Sequence, residues 1–353
     1  MTVLKLGSLF DGIGVFPLAA VHCGIEPVWA SEIEARPISI TRRHFPDMLH
    51  LGDITKISGA EVPPVDVITF GSPCQDLSQI GTRNGFAGKK SSLFYQAMRI
   101  IEEMRYATNG RYPAFCIWEN VAGAFSSNDR LDFAAMLRAF TGAEVSVPPR
   151  GWAHAGMVRG GRADTVWRLL DAQYWGEPAL VQRRKRVFVV ADFAGQRAGE
   201  VLFKPRTVLP FSAIGSSGGL PATARGGVST AQTGRQVPIV RPFSLRRMRT
   251  MAQVGDQKGF CASFGRGGEP FPTLLASVTA PFSFWYEGEE PDGFLRVLTP
   301  LECERLMGLP ENWTKYGCKD EEISDHARYR ALGNSIALPC AEYVMAGISE
   351  VMN

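Results

Sequence analysis

The chain has 353 residues, 45% of them hydrophobic and 21% charged, and a formal net charge of +3. This is the composition of an ordinary water-soluble globular protein with length for one large domain or two medium ones, and its weak positive balance permits a polyanionic partner without requiring one. Seven cysteines, an odd number with no C-x-x-C pair, argue against a disulfide framework and against a structural zinc or other metal site, and toward a reducing, cytoplasmic setting.

The opening "MTVLKLGSLF" lacks the basic and long apolar segments of a signal peptide. No uncharged apolar run reaches the roughly 20 residues that a membrane-spanning helix needs, so no membrane partner is expected. "VLKLGSLF" (3–10) reads as a strand, followed by Gly12 and Gly14 and a short helix that Gly24 can cap; "EPVWASEI" (26–33) reads as the next strand. "VDVITF" (65–70) is apolar on both faces apart from Asp66 and Thr69, as a strand covered on both sides would be. "SLFYQAMRIIEEM" (92–104) has apolar residues at helical spacing, and the series continues with "FCIWEN" (115–120), "RLDFAAMLRAF" (130–140) and "RVFVVADF" (186–193). This alternation predicts an α/β fold of three layers, with parallel strands joined by right-handed crossovers.

Near residue 200 the texture changes. Residues 201–286 are rich in Gly, Ser, Thr, Pro and Arg and hold ten Lys and Arg against two Asp and Glu. "TPLECERLMG" (299–308) carries a capping box, with Thr299 at the cap, Pro300 first in the helix and Glu302 three residues on. "ALGNSIALPCAEYVMAGISEVM" resumes a helical texture. The expected organisation is a first domain over 1–198, a second over 199–321, and a C-terminal helix over 322–353 that rejoins the first.

"FDGIG" (10–14) places glycines at the end of the first strand, where the main chain can approach a ligand closely. A strand-to-helix turn needs a glycine in any case, so the motif gains weight from its neighbours. Glu32 ends the second strand and Asp53 follows in "GDIT", so two carboxyl groups stand near the carboxyl edge of one sheet, where such groups bind ribose or adenine. The pyrophosphate fingerprint G-x-G-x-x-G is missing, which argues for a nucleoside cofactor without a diphosphate, and S-adenosylmethionine fits.

"GSPCQDLS" (71–78) raises a second question, since a lone cysteine after a strand is usually a small buried hydrophobe. Pro73 fixes the turn at the strand's carboxyl end, and a thiol there becomes nucleophilic if nearby positive charge lowers its pKa. "WENV" (118–121) ends another strand with a carboxyl group, and "QRRKRVF" (182–188) enters a strand with Arg184 and Arg186 two apart, on one face.

"FDGIG", "GSPCQDLS", "ENV", "QRRKR" and "GNSIALP", in this order and at roughly these spacings, resemble the motifs of the cytosine-5 DNA methyltransferases. The resemblance covers residues 5–348 except most of 200–294. It implies a Rossmann-like three-layer methyltransferase domain with a mostly parallel sheet, plus a smaller irregular target-recognition domain. It implies S-adenosylmethionine as cofactor and double-stranded DNA as partner, a monomer, and room for a companion restriction endonuclease.

The same resemblance implies roles for single residues. Cys74 would add to carbon 6 of a flipped cytosine, Glu119 would hydrogen-bond the ring near N3, and Arg184 and Arg186 would hold the O2 edge. Phe10, Gly12 and Gly14 would surround the cofactor's methionine part, Glu32 with Ile33 beside it the ribose, and Asp53 with Ile54 the adenine. Pro73, Leu93, Asn334 and Ser335 would complete that pocket. Gln75 and Ser78 would touch DNA, Arg246, Arg247 and Arg249 in "SLRRMRTM" would contact phosphates, and residues 81–94 resemble the family's closing loop.

Two features depart from the family pattern. Val181 stands where a proline usually precedes the glutamine, and residues 146–167 exceed the family's minimal connection. Rival readings are methylation of transfer RNA, whose branch carries a Cys-Phe-Thr tripeptide absent here, and a DNA-binding relative without catalysis, which would be expected to lack Cys74, Glu119 or Arg184. Amino-group methyltransferases of adenine N6 or cytosine N4 use a [DNS]-P-P-[YFW] tetrapeptide that does not occupy the corresponding strand end.

Overall fold

The computed structural model describes residues 3–72, 93–204, 239–243, 273–274, 283–287 and 294–353. Among them an eight-stranded sheet is formed by β1 (Lys5–Leu9), β2 (Glu26–Ser31), β3 (Leu49–His50), β4 (Val67–Phe70), β5 (Phe115–Val121), β6 (Ala155–Arg159), β7 (Asp164–Asp171) and β8 (Lys185–Asp192), in the spatial order β3-β2-β1-β4-β5-β8-β7-β6. The five strands from β3 to β5 are parallel.

The period-two alternation of side chains divides the interior into two cores. Phe115, Ile117, Phe188 and Val190 enter one; Cys116, Trp118, Val187 and Val189 enter the other. Helices α1 (Val15–His22), α5 (Ala198–Leu202), α6 (Pro300–Met307), α7 (Asp325–Asn334) and α8 (Leu338–Met352) contribute to the first core, as does Ile40 of α2 (Ala35–His44). The second is closed by α3 (Leu93–Ala107) and α4 (Leu131–Thr141). Gly7 is required in β1 because a Cβ there would lie 2.2 Å from the Trp29 ring, which is fully buried and donates through Nε1 to the Pro63 carbonyl.

The three-layer α/β architecture agrees with the sequence expectation, and two details differ. β8 runs antiparallel to β5, and β7 and β6 continue the sheet as an antiparallel hairpin, so the parallel order stops at β5. Between β7 and β8 the chain forms only the single helical turn Ala172–Tyr174 and no crossover helix to return it to the far end of the sheet, so the two strands pair antiparallel. The chain also re-enters the first core earlier than residue 322: Leu298, Cys303, Leu306, Met307, Leu309 and Trp313 belong to it, as do Val201 and Leu202 past the expected first boundary. The expected C-terminal helix is two, α7 and α8.

A second, three-stranded antiparallel sheet has the order β11-β10-β9, from β9 (Ile239–Phe243), β10 (Ser283–Glu287) and β11 (Phe294–Val297). The capping box stands as expected: the Thr299 hydroxyl accepts from the Glu302 amide, and the Glu302 carboxylate accepts from the Thr299 amide at 2.8 Å. Among the described residues, no helix is long and apolar enough to cross a membrane.

Candidate active site

The strand order reverses between β1 and β4, and open α/β sheets bind ligands at such a point, beyond the carboxyl ends of the strands. A cavity of about 710 Å³ lies there, within the size range of cofactor sites. It is lined after β1 by Phe10–Ile13, after β2 by Glu32, after β4 by Gly71 and Ser72, at the end of β5 by Glu119–Val121, and by Arg186 where antiparallel β8 begins. Asn334 and Ser335 close it from the α7–α8 junction.

The turn after β1 is shaped by three left-handed residues, Phe10 (φ 55°), Gly12 (φ 58°) and Gly14 (φ 78°). That conformation is costly for a side chain as large as phenylalanine, which makes Phe10 an outlier of the kind found at ligand sites. A Cβ at Gly12 would project into open space, so the main chain itself forms the wall. Glu32 braces this wall: one carboxylate oxygen accepts from the Gly12 amide at 3.0 Å, and the other from the amides of Ile33 and Glu34 at 2.7 and 2.9 Å.

Asp11 was not among the residues expected from the sequence. Its Oδ1 accepts from the Ser8 hydroxyl at 2.6 Å, whereas its Oδ2 is occluded from solvent, with no hydrogen-bond partner among the described residues. Burial, reinforced by the charge of Glu32 and opposed by the Ser8 and Thr41 hydroxyls, pushes its pKa up to about 7. The available signal was a carboxyl group inside an otherwise apolar strand-to-helix turn.

Across the cavity, the guanidinium Nε of Arg186 lies 3.0 Å from Glu119 Oε1, with both side chains nearly enclosed. Burial raises the Glu119 pKa despite the opposing charges of Arg186 and Arg184. A carboxyl group that holds a proton more readily than usual, beside a cation, can donate to a ring nitrogen while the cation receives charge on an adjacent oxygen. Gly71 leaves room for the pair, since a Cβ there would lie 3.1 Å from Glu119 Oε2.

β5 also fixes the chain that leads toward Cys74. Asn120 Nδ2 donates to the Ser72 carbonyl at 2.8 Å and Trp118 Nε1 donates to the Ser72 hydroxyl at 3.0 Å. Cys74 itself, with Pro73, Gln75, Ser78, Arg246, Arg247, Arg249 and nearly all of the expected closing loop, lies outside the described residues.

The structure therefore brings Phe10, Gly12, Glu32, Glu119, Arg186, Asn334 and Ser335 to one cavity. Gly14 caps α1 behind it, Leu93 begins α3, Ile33 is 73% exposed, and Ile54 is buried in the second core. Asp53 caps the short turn over 54–56 by accepting from the amide and hydroxyl of Thr55, which holds its carboxyl below the usual range. None of these five lines the cavity.

Arg184 is placed differently from Arg186. It is 1% exposed, does not line the cavity, and donates to the main-chain carbonyls of Leu274 at 3.0 Å, Gly333 at 2.9 Å and Ser335. Two residues apart in sequence, the arginines divide the work: one faces the cavity, and the other ties β8 to the segment that carries Asn334 and Ser335.

A sheet of this order, with a cofactor-sized cavity at its reversal point and an acid–cation pair on its lining, belongs to the open α/β class whose ligands bind beyond the carboxyl ends of the strands. Comparison with known proteins narrows this. Residues 4–204 and 244–350 match the model of the family described as C-5 cytosine-specific DNA methylase. The chain belongs to that family, which makes it an enzyme of the DNA cytosine methyltransferase class.

It is 23% identical to the type II methyltransferase M.HhaI of Haemophilus parahaemolyticus, over all of this chain and 96% of that enzyme. It is 25% identical to M2.BsuMI of Bacillus subtilis, over 98% of this chain and 76% of that one. A protein of Escherichia phage P1 named DNA N-6-adenine-methyltransferase is 23% identical over 98% of this chain, which spans only 61% of that longer protein. Among solved structures, Schizosaccharomyces pombe Dnmt2 shares the fold, with a TM-score of 0.57 and 17% identity over 99% of both chains.

Proposed function

We propose that the protein transfers a methyl group from S-adenosylmethionine to carbon 5 of a cytosine flipped out of duplex DNA, through transient addition of Cys74 to carbon 6. The observation that carries this reading is that the Glu119–Arg186 pair shares one cavity with the Phe10–Gly12 turn, Glu32 and the Asn334–Ser335 segment.

The residues present fit the cofactor. The carboxyl-bearing residues Asp11 and Glu32 on the lining suit a ligand with positive charge, and the open wall at Gly12 suits close main-chain approach. Phe10, Gly12, Glu32, Asn334 and Ser335 would hold it, and when bound it supplies an electrophilic methyl group on a sulfonium centre.

The protein's own residues do the rest. Carbon 5 of cytosine is a poor nucleophile until the ring's aromaticity is broken, so a thiolate at Cys74 adds to carbon 6; once carbon 5 has taken the methyl group, its proton is lost to a base and the thiolate is expelled, which restores the ring. Glu119, protonated more readily than an ordinary carboxyl, donates to N3, and Arg186 stabilises charge developing at O2. Extrusion of the base is needed because the atoms involved are unreachable in a stacked duplex. Arg184 acts as a positioning residue, holding the Gly333–Ser335 segment in place.

The segment between Lys204 and Leu298, with its excess of Lys and Arg and its three-stranded sheet, is assigned to target recognition, with Gln75, Ser78, Arg246, Arg247 and Arg249 toward DNA. Its affinity for DNA should fall steeply as salt rises. A monomer, with or without a companion endonuclease, meets these needs.

The test is incubation of the purified protein with duplex DNA and methyl-labelled cofactor, followed by nucleoside analysis. Label in 5-methylcytosine, lost in Cys74→Ser, supports the proposal. Label in N6-methyladenine, in transfer RNA alone, or persisting in Cys74→Ser overturns it.

A further inference from the structure

Residues 146–167, longer than the family's minimal connection, add β6 to the open edge of the sheet, with a turn over 148–151 before it. Register fixes where this turn stands. Ala155 of β6 pairs with Arg168, Arg168 with Phe188, and Phe188 with Glu119, so the four form one row across the sheet. β6 runs antiparallel to β5, which puts residues 150–154 beyond that row, on the carboxyl edge of β5 that carries the cavity. Three strand spacings of about 4.8 Å separate β6 from β5, about 14 Å in all, or roughly four base-pair steps of duplex DNA.

The added segment is anchored. Trp152 packs edge-on against Phe133 and Trp167 of the second core, at ring separations of 5.0 and 6.0 Å, and its Nε1 donates to the Arg130 carbonyl at 3.0 Å. Arg130 ends a run of three left-handed residues, Asn128 (φ 47°), Asp129 (φ 52°) and Arg130 (φ 72°). This costly backbone is held by donations from the Ser127 and Asn128 side chains to the buried Asp132 carboxylate. The Arg130 guanidinium lies against Gly151, where an added Cβ would stand 3.2 Å from its central carbon. Two separate elements therefore bring exposed cations, Arg130 and Arg150, to one spot.

The charge around them is one-sided. Residues 146–162 hold three arginines and no acid. Arg159 and Arg162, at the opposite edge of the sheet, pair with Asp164 and Glu102. Among the described residues no carboxylate pairs with Arg130 or Arg150, the neighbouring Asp129 included. Lys185, exposed at the start of β8, falls on the same face by the two-residue period, and β8 lies between β5 and β6. Like charges gathered without a counter-charge repel, and an anion lying across them removes the repulsion.

We propose that Arg130 and Arg150 form a phosphate ledge that takes the backbone of the substrate duplex about four base pairs from the flipped cytosine, so that the catalytic domain grips DNA outside the target site. This rests on the reading of the protein as a methyltransferase of duplex DNA. The ledge positions the duplex and reads no base, because its contacts are to phosphate.

The experiment is fluorescence anisotropy of the full chain with a labelled duplex of mixed sequence, across a series of salt concentrations. Each phosphate contact adds about 0.9 to the slope of log affinity against log salt, so Arg130→Gln combined with Arg150→Gln should reduce the wild-type slope by about 1.8. Arg159→Gln combined with Arg162→Gln removes the same charge from the other end of the hairpin and should leave the slope as it is. Calorimetric affinity for S-adenosylmethionine, whose cavity neither pair lines, should keep its wild-type value in both and reports a folded catalytic domain.

A drop confined to the first pair supports the ledge. Equal drops in both pairs reflect net charge alone and overturn it, as does a wild-type slope in the first pair; both results leave the DNA reading intact. If the Arg130 substitution unfolds the domain, Arg150→Gln alone decides, a drop of about 0.9 supporting the ledge and an unchanged slope overturning it. A wild-type protein that binds transfer RNA but no duplex DNA, or neither, overturns the DNA reading and the ledge together.

Discussion

Replacing Arg184 by alanine separates a strut from a catalytic contact. The fully buried guanidinium donates to the carbonyls of Leu274, Gly333 and Ser335, and each charge-assisted bond of this kind contributes about 1.5–2 kcal/mol, or about 5 kcal/mol for three. Against this, the Arg184 Nε–H is buried without a partner among the described residues, and removing it recovers about 1–3 kcal/mol. The net loss for Arg184→Ala is therefore about 2–4 kcal/mol, a large share of the roughly 5–15 kcal/mol that holds a domain folded. Arg184→Lys, with one ammonium and no planar fork, should lose about half of that.

Urea unfolding gives the stability, and calorimetric titration with S-adenosylmethionine gives the second readout, because the freed segment carries Asn334 and Ser335 on the cavity wall. Both quantities should worsen together. Unchanged stability and cofactor affinity combined with lost methyl transfer would refute the strut and restore the contact with the cytosine O2 edge implied by the family resemblance.

Glu119→Gln keeps a donor near N3 but cannot titrate; methyl transfer should fall by about 100-fold, and the decline of wild-type activity as pH rises through the raised Glu119 pKa should disappear from the pH profile. An unchanged alkaline limb in the variant would contradict a protonated Glu119. Glu304 is fully buried and accepts from the Asn312 and Thr314 amides, the Thr314 hydroxyl and Arg328. Glu304→Ala leaves the buried Arg328 with only the longer, largely exposed ion pair to Asp325, so urea unfolding should show a loss of about 3 kcal/mol. Thr299→Ala removes the cap of α6 and should cost about 1 kcal/mol by the same measurement.

Elements with a strong apolar period were legible in the sequence, and those without one were not. β4, β5 and α3 carry uninterrupted apolar or helical patterns, so their existence and type followed from the residues alone. β6, "AGMVR", has no fully buried residue and sits in a Gly- and Arg-rich stretch, so it read as a connection rather than an edge strand. The direction of β8 was also hidden, because alternation of strands and helices shows that strands exist without showing where a missing crossover reverses the chain.

The site divides in the same way. Glu119 and Arg186 lie near strand ends, and the two-residue period put Arg184 on the same face as Arg186. That period does not encode depth, so Arg184 was grouped with Arg186 although burial and three carbonyl partners take it to another task. Asp53 was grouped with Glu32 for its charge and position after a strand, yet it caps its own turn. Asp11 went unremarked because an unpartnered oxygen is a property of three-dimensional surroundings.

The central claim is that the Cys74 sulfur forms a bond to a cytosine ring, and its most direct test uses duplex DNA in which cytosine carries fluorine at carbon 5, a substituent that cannot leave as a proton does. Incubation with this DNA and S-adenosylmethionine should trap the protein as a denaturation-resistant covalent complex, with the modified peptide containing residue 74 and no complex from Cys74→Ser. Complete methyl transfer to unmodified DNA with no trapped complex, or a complex joined through another residue, would contradict the account.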